Sequence, residues 1–283
     1  MERRLELLGA QANAHASAGQ AVEARDALRG SLALLPPDAA AERVAVAAAL
    51  AELHALWTQE PDDARRLIES ERASLGDAAP ALSAALTLVL ARERAVHADH
   101  AAAEALAEEA RFAARAGGDA ALEAEAAAVA ADAAHCRLRE DDAAARAAVD
   151  AKIANAAALV GLLPDARVAE RIQMALWLGA AHCFSGDFAA ARAVAERGIR
   201  VARGSAQGLH AASFVNLRGW IEGERGRLDA AEADLDQALE SAVVSGNVQV
   251  AYWAHVALSR TALGAGASTT PSRTRRPPRT ASA

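Results

Sequence analysis

Along residues 1–264 the apolar positions recur at i, i+3, i+4 and i+7 in stretches of roughly 15–20 residues, the spacing of helices with one buried face. In one stretch Ala191, Val194, Ala195, Gly198 and Ile199 share a side, while Arg192, Glu196 and Arg197 lie elsewhere on the same helix. No run alternates apolar and polar residues over the length of a strand, so the pattern is all-α. Helix breakers separate the stretches in two interleaved sets. One set is Gly19, Gln59, Ala98, Glu140, Gly186 and Gly226, at intervals of 40, 39, 42, 46 and 40 residues. The other lies between them: Leu35-Pro36-Pro37-Asp38, Gly76-Asp77 with Pro80, Gly117-Gly118-Asp119, Leu163-Pro164-Asp165, Gly204 to Gly208, and Ser245-Gly246-Asn247. Glycine stops a helix, proline follows the stop, and Asp or Ser caps the next start. About thirteen helices in antiparallel pairs are expected on this spacing.

Five residues after each member of the first set stands an alanine: Ala24, Ala64, Ala103, Ala145, Ala191 and Ala231. A near-fixed period of about forty marks a repeat in which each unit buries its apolar face only against its neighbours. A small residue is needed where paired helices cross, because a larger one would push them apart. The expected fold is therefore an all-α, right-handed superhelical solenoid of six hairpins plus a last helix at 248–263. That helix lacks a pairing partner, which leaves Trp253, Val256 and Leu258 partly exposed and available for self-association. The clearest units resemble the tetratricopeptide pattern, above all Trp177-Leu178-Gly179 through Gly186-Asp187-Phe188 and on to Ala191. Counted from each turn in that register, the inner, concave face carries Trp57, Arg92, Arg137, Asn216, Trp220, Glu224 and Trp253. Trp and Arg are the types enriched as binding anchors. The plainer alternative has the tryptophans filling gaps left by alanine and the arginines simply solvated.

Composition changes this picture little and charge somewhat more. The apolar fraction is 53% but is mostly alanine, with aromatics at 3%, so each helix buries a thin layer. The net charge is −7, and the last nineteen residues hold four Arg and no acid, which leaves −11 on the rest. An acidic body argues against direct nucleic-acid binding, which needs a basic stripe. No apolar stretch reaches the ~18 residues of a membrane span, and the N-terminus lacks a signal-peptide core; a cytoplasmic location is expected. Residues 265–283, rich in Pro, Ser, Thr and Arg, should be disordered. A seventh turn is due near residue 266. With GC-rich codons, residues 267–276 read one nucleotide earlier give Gly-Glu-Tyr-Asp-Ala-Val-Ala-Asp-Ala-Glu, which resembles a repeat turn. The tail is thus expected to be a shifted reading frame, an expectation that the codons of the gene decide.

Catalytic signals are thin. His97 and His100 offer two metal ligands where a site needs three or four. His135-Cys136 and His182-Cys183 are adjacent on helices, where neighbours point about 100° apart, so neither makes a nucleophile–base pair; packed cysteines and half-exposed histidines are expected. The clusters Glu60-Pro61-Asp62-Asp63 and Glu140-Asp141-Asp142 open second helices, where acids cap and favour the dipole. No catalytic or metal site and no cofactor is called for.

Several phrases together resemble one family: EARDALRGSLALLPPDAAAERVAVAAALAEL, LPDARVAERIQMALWLGAAHCFSGDFAAARAVAERGI and GRLDAAEADLDQALESAVVSGNVQVAYWA. They look like the helical-repeat region of the large ATP-binding LuxR-type transcriptional regulators, the class of the maltose-regulon activator. The resemblance implies a region that senses an inducer or partner and relays its state to an N-terminal P-loop ATPase and a C-terminal helix-turn-helix. This sequence contains no Gly-x-x-x-x-Gly-Lys-Ser/Thr loop and no helix-turn-helix, so neither ATP binding nor DNA binding carries over. What remains is a non-catalytic scaffold for a protein, a peptide or a small-molecule inducer on the concave face. A truncated, non-functional fragment is the alternative, and an enzyme with a site assembled across repeats a remoter one.

Overall fold

Each breaker among the described residues falls where a helix ends. The computed structural model describes residues 2–17, 20–54, 61–76, 79–139, 142–205 and 207–268. Among these, fourteen α-helices occur and no strand. Six run between the two breaker sets as the first members of pairs: α1 (Glu2–Ser17), α3 (Ala40–Leu53), α5 (Pro80–Val96), α7 (Ala120–Cys136), α10 (Gln173–Ser185) and α12 (Gly208–Glu224). Their second members are α2 (Ala21–Leu34), α4 (Pro61–Leu75), α6 (His100–Gly117), α8 (Ala143–Gly161), α11 (Phe188–Gly204) and α13 (Leu228–Ser245). A short α9 (Asp165–Glu170) lies between α8 and α10, which accounts for the one long turn-to-turn interval. The last helix, α14 (Val248–Ser268), follows α13 and runs past the expected end near 263. Residues 269–283, and with them most of the expected tail, lie outside the described residues.

Successive helices pack against each other in chain order, and first members also touch across pairs: α3 on α5, α5 on α7, α7 on α10, α10 on α12 and α12 on α14. This consecutive packing of an all-helical chain is compatible with a helical repeat.

The turns are built alike. Gly186 and Gly226 adopt φ of 87° and 73°, the left-handed conformation that glycine takes without a Cβ clash. Ala98 stands at the equivalent turn and adopts φ of 61° despite its side chain. In each the following N–H reaches back to the helix just ended, Asp99 to the Arg94 carbonyl and Asp187 to the His182 carbonyl, both at 2.9 Å. Asp99, Asp119, Asp142 and Asp187 then accept a hydrogen bond from the backbone N–H three residues on, which caps the next helix. Asp62 and Asp63 lie in the first turn of α4 and pair with Arg65 and Arg66. The expected turn residues Gly19, Gln59 and Glu140 lie outside the described residues.

Five of the six recurring alanines are sealed at the crossings: Ala24, Ala103, Ala191 and Ala231 at 0% exposure and Ala64 at 2%. Ala145 is the departure and is only half-buried. There α8 meets the core further along, through Val149, Ile153, Ala156 and Val160. At one further close approach the Phe214 ring sits 2.4 Å from where a Cβ on Gly198 would stand, a separation only glycine permits.

Helix α7 is enclosed on every side, with all of residues 121–134 buried. A helix without a polar face belongs at the centre of the assembly, and α5, α6, α8 and α10 all pack on it. At the other extreme, α14 buries Val250, Ala254 and Ala257 while Trp253 stays exposed and Val256 and Leu258 are half-buried. Tyr252 and Leu263 on the same helix are also exposed. No helix among the described residues is long and apolar enough to cross a membrane.

Candidate functional site

A half-open cavity of about 360 Å³ lies among the helices, lined mostly by first members with α4 and the start of α6 contributing, its walls drawn from α3 through α14. Its apolar wall is aromatic. A ladder of rings crosses four helices: His135 of α7 lies 6.2 Å from Phe184 of α10, Phe184 is 6.2 Å from Trp220 of α12, and Trp220 is 6.0 Å from Trp253 of α14. Phe184, Trp220 and Trp253 face the cavity together with Trp177, whose ring packs against Ala95, Ala103 and Ala133. Arg260 places its guanidinium 5.2 Å from the Trp220 ring centre, so this wall already engages one cation.

The polar wall is mostly self-satisfied. Glu125, 1% exposed on α7, accepts from Arg92 at 2.7 Å and from Arg171, just beyond α9, at 3.0 Å. Glu52 of α3 accepts from Gln173 of α10 and lies 3.8 Å from His210 of α12, which joins helices far apart in sequence. Burial holds the His210 imidazole below its usual pKa despite Glu52, so it is neutral near pH 7. Six lining residues carry a buried atom without a hydrogen-bond partner: Arg65 Nε, Glu93 Oε2, His100 Nδ1, Asp132 Oδ1, Trp177 Nε1 and Asn216 Oδ1.

The structure brings four of the seven sequence-predicted residues to this cavity: Arg92, Asn216, Trp220 and Trp253. Arg92 contributes a guanidinium held by Glu125 rather than a free one. Arg137 is elsewhere. It caps the C-terminus of α7, is exposed, and pairs with Glu104 of α6. The register places it on the inner face, but at the end of α7 its long side chain reaches an acid on the preceding helix. Glu224 is exposed and pairs with Arg260, the residue that lies over Trp220, so it acts one step back from the wall. Trp57 lies outside the described residues.

The other sequence candidates resolve simply. Cys183 is buried as expected, whereas Cys136 is exposed at the end of α7, and His182 is buried rather than half-exposed. Burial pushes the Cys183 thiol up to about 12; Cys136, though surface-exposed, sits in the cavity lining, and that partial desolvation together with the Asp132 carboxylate pushes it to about 12 as well, while both neighbouring imidazoles lie below their usual value. Among the described residues no group of three or more His, Cys, Asp or Glu is arranged to hold a metal ion.

A second, shallow hollow of about 460 Å³ lies between α2, α3 and α4 and is lined by Arg29, Arg43 and Arg66. Arg43 is bound by Glu71, while Arg66 and Arg29 share Asp63, so most of the hollow's charge is already engaged.

No protein-family model matches this chain, and no curated protein matches it either. The family resemblance therefore rests on the sequence phrases alone.

Sequence reasoning missed Glu52, Asp132, Gln173, Trp177 and His210. A signal existed for Asp132: it is the one acid in residues 126–136, an otherwise nearly all-alanine stretch.

Proposed function

We propose that this chain is a non-catalytic binding scaffold, a right-handed tetratricopeptide-like superhelix whose inner cavity takes a small molecule. In this reading it is the sensor and relay region of a LuxR-type transcriptional regulator. The observation that carries the proposal is the half-open cavity with an aromatic wall and buried polar atoms that have no protein partner. Its volume falls within the ~300–1,000 Å³ of small-molecule sites, which favours an inducer over a peptide lying in an open groove. A ligand there would touch α3 and α14 at once, so its binding would alter how distant repeats sit against one another. That is what a relay requires. The raised thiol pKa values support the absence of catalysis, since a Cys–His nucleophile needs a thiolate. The acidic body supports a role without direct DNA contact.

The test is intrinsic tryptophan fluorescence of the purified chain during titration with a panel of amphipathic small molecules. At least one should quench saturably, and Trp220→Ala should weaken its binding about tenfold or more. Arg137→Ala, outside the cavity, should leave binding unchanged. If no compound binds, or if Trp220→Ala binds as well as the parent with its fold intact, the proposal fails. ATP hydrolysis or promoter binding by the chain alone would also sink it.

A further inference from the structure

Six carboxylates are buried among the described residues: Glu71, Glu93, Glu123, Glu125, Asp132 and Glu222. Five have an arginine within 3.0 Å. Glu71 has Arg43, Glu93 has Arg65, Glu123 has Arg115, Glu125 has Arg92 and Glu222 has Arg192. Asp132 has none, although it is 4% exposed and its Oδ1 is sealed from solvent. Asp132 and Glu93 both line the aromatic cavity, but Glu93 is held there by Arg65, and the lining's other guanidinium, Arg92, is held by Glu125. Asp132 is thus the one buried acid of the lining, among the described residues, with no arginine beside it.

Resting on the small-molecule reading above, we propose that the cavity is a site for an organic cation: an amine on an aromatic or alkyl body, whose ammonium group pairs with Asp132. The ligand would supply the positive charge that an arginine supplies to every other buried acid among the described residues. Charge-assisted hydrogen bonds of this kind are the strong ones, and more so where water is excluded. The neighbouring rings suit the same ligand. Phe184 stacks on His135, one turn along α7 from Asp132, and Trp177 packs on Ala133 beside it. Aromatic faces attract an ammonium electrostatically and cover the apolar body that carries it. Burial, with no cation near, pushes the Asp132 carboxyl from the usual 3.8 to about 7, and a bound ammonium would favour its ionised form again.

Three probes of one body length separate the contributions: 4-phenylbutylamine, 4-phenylbutanol and 4-phenylbutyrate, each titrated into the chain by calorimetry at pH 7.5. The amine should bind at least tenfold more tightly than the alcohol, and the carboxylate most weakly. In Asp132→Asn the amine should fall to the affinity of the alcohol while the alcohol binds as before; retained alcohol binding and an unchanged circular dichroism spectrum show that the variant is folded. Equal binding of amine and alcohol to the parent chain would overturn the cation assignment and leave the small-molecule site standing. So would an amine preference that survives in Asp132→Asn. Failure of all three probes to bind would overturn the site itself, and the cation assignment with it.

Discussion

Asp132 is buried among alanines without a charged neighbour, and desolvation alone raises its carboxyl to about 7. The sign of the consequence is fixed. Below pH ~4 the group is protonated in both folded and unfolded chains, and its contribution to stability is fully present. As pH rises toward 7 the unfolded chain releases a proton that the folded chain retains, so stability falls and stays low above the folded value. At about 1.4 kcal/mol per pKa unit the loss by pH 8 is on the order of 4 kcal/mol. Asp132→Asn should therefore be more stable than the parent at pH 8 and about equal to it near pH 4, as read from urea melts across that range. A parent and variant that differ by the same amount at every pH would contradict the burial of an unpaired carboxyl. The recurring alanines are legible in the sequence because one close crossing recurs in each unit. Asp132 is not legible as a site residue, because what singles it out is a missing partner, and partners such as Arg92 for Glu125 come from another helix.

At the scale of the element, the pairs are held by the packing of small residues rather than by large apolar side chains. Ala191 and Ala231 are sealed at 0% exposure on α11 and α13, so added volume there has to separate two helices. Ala191→Leu and Ala231→Leu should each destabilise by ~1–3 kcal/mol, whereas Ala189→Leu, at an exposed position of α11, should stay within about 0.5 kcal/mol. Chemical denaturation of the three variants checks this, and equal shifts would mean that the crossing is not where the alanines lie. Most helix ends were readable, since Gly118, Gly186, Gly226 and Gly246 all stop a helix in the left-handed conformation. Helix α9 was not, because six residues are too few to show a helical period; only the long interval between Glu140 and Gly186 betrays an insertion. Of the seven residues expected on the inner face, Arg92, Asn216, Trp220 and Trp253 come to the cavity along described helices, while Arg137, at a helix end, pairs with Glu104 instead.

Across the whole molecule nearly all packing joins neighbours in the chain, but the hydrogen bond from Gln173 to Glu52 spans 121 residues. Contacts between adjacent helices close short loops and form early, whereas a contact of this span waits until the intervening pairs are in place. Its loss should consequently be felt after the rate-limiting step of folding. Glu52→Ala, weakening the chain by about 1 kcal/mol, should speed unfolding about fivefold and leave the refolding rate nearly unchanged. Stopped-flow chevrons of parent and variant would show the shift on the unfolding arm; a shift on the folding arm would mean that this contact nucleates the structure. The cavity inherits the same timing, because Glu52 and Gln173 are both in its wall. The enclosure then matures last and opens first, and residence time of a guest would be governed by how often that single clasp lets go.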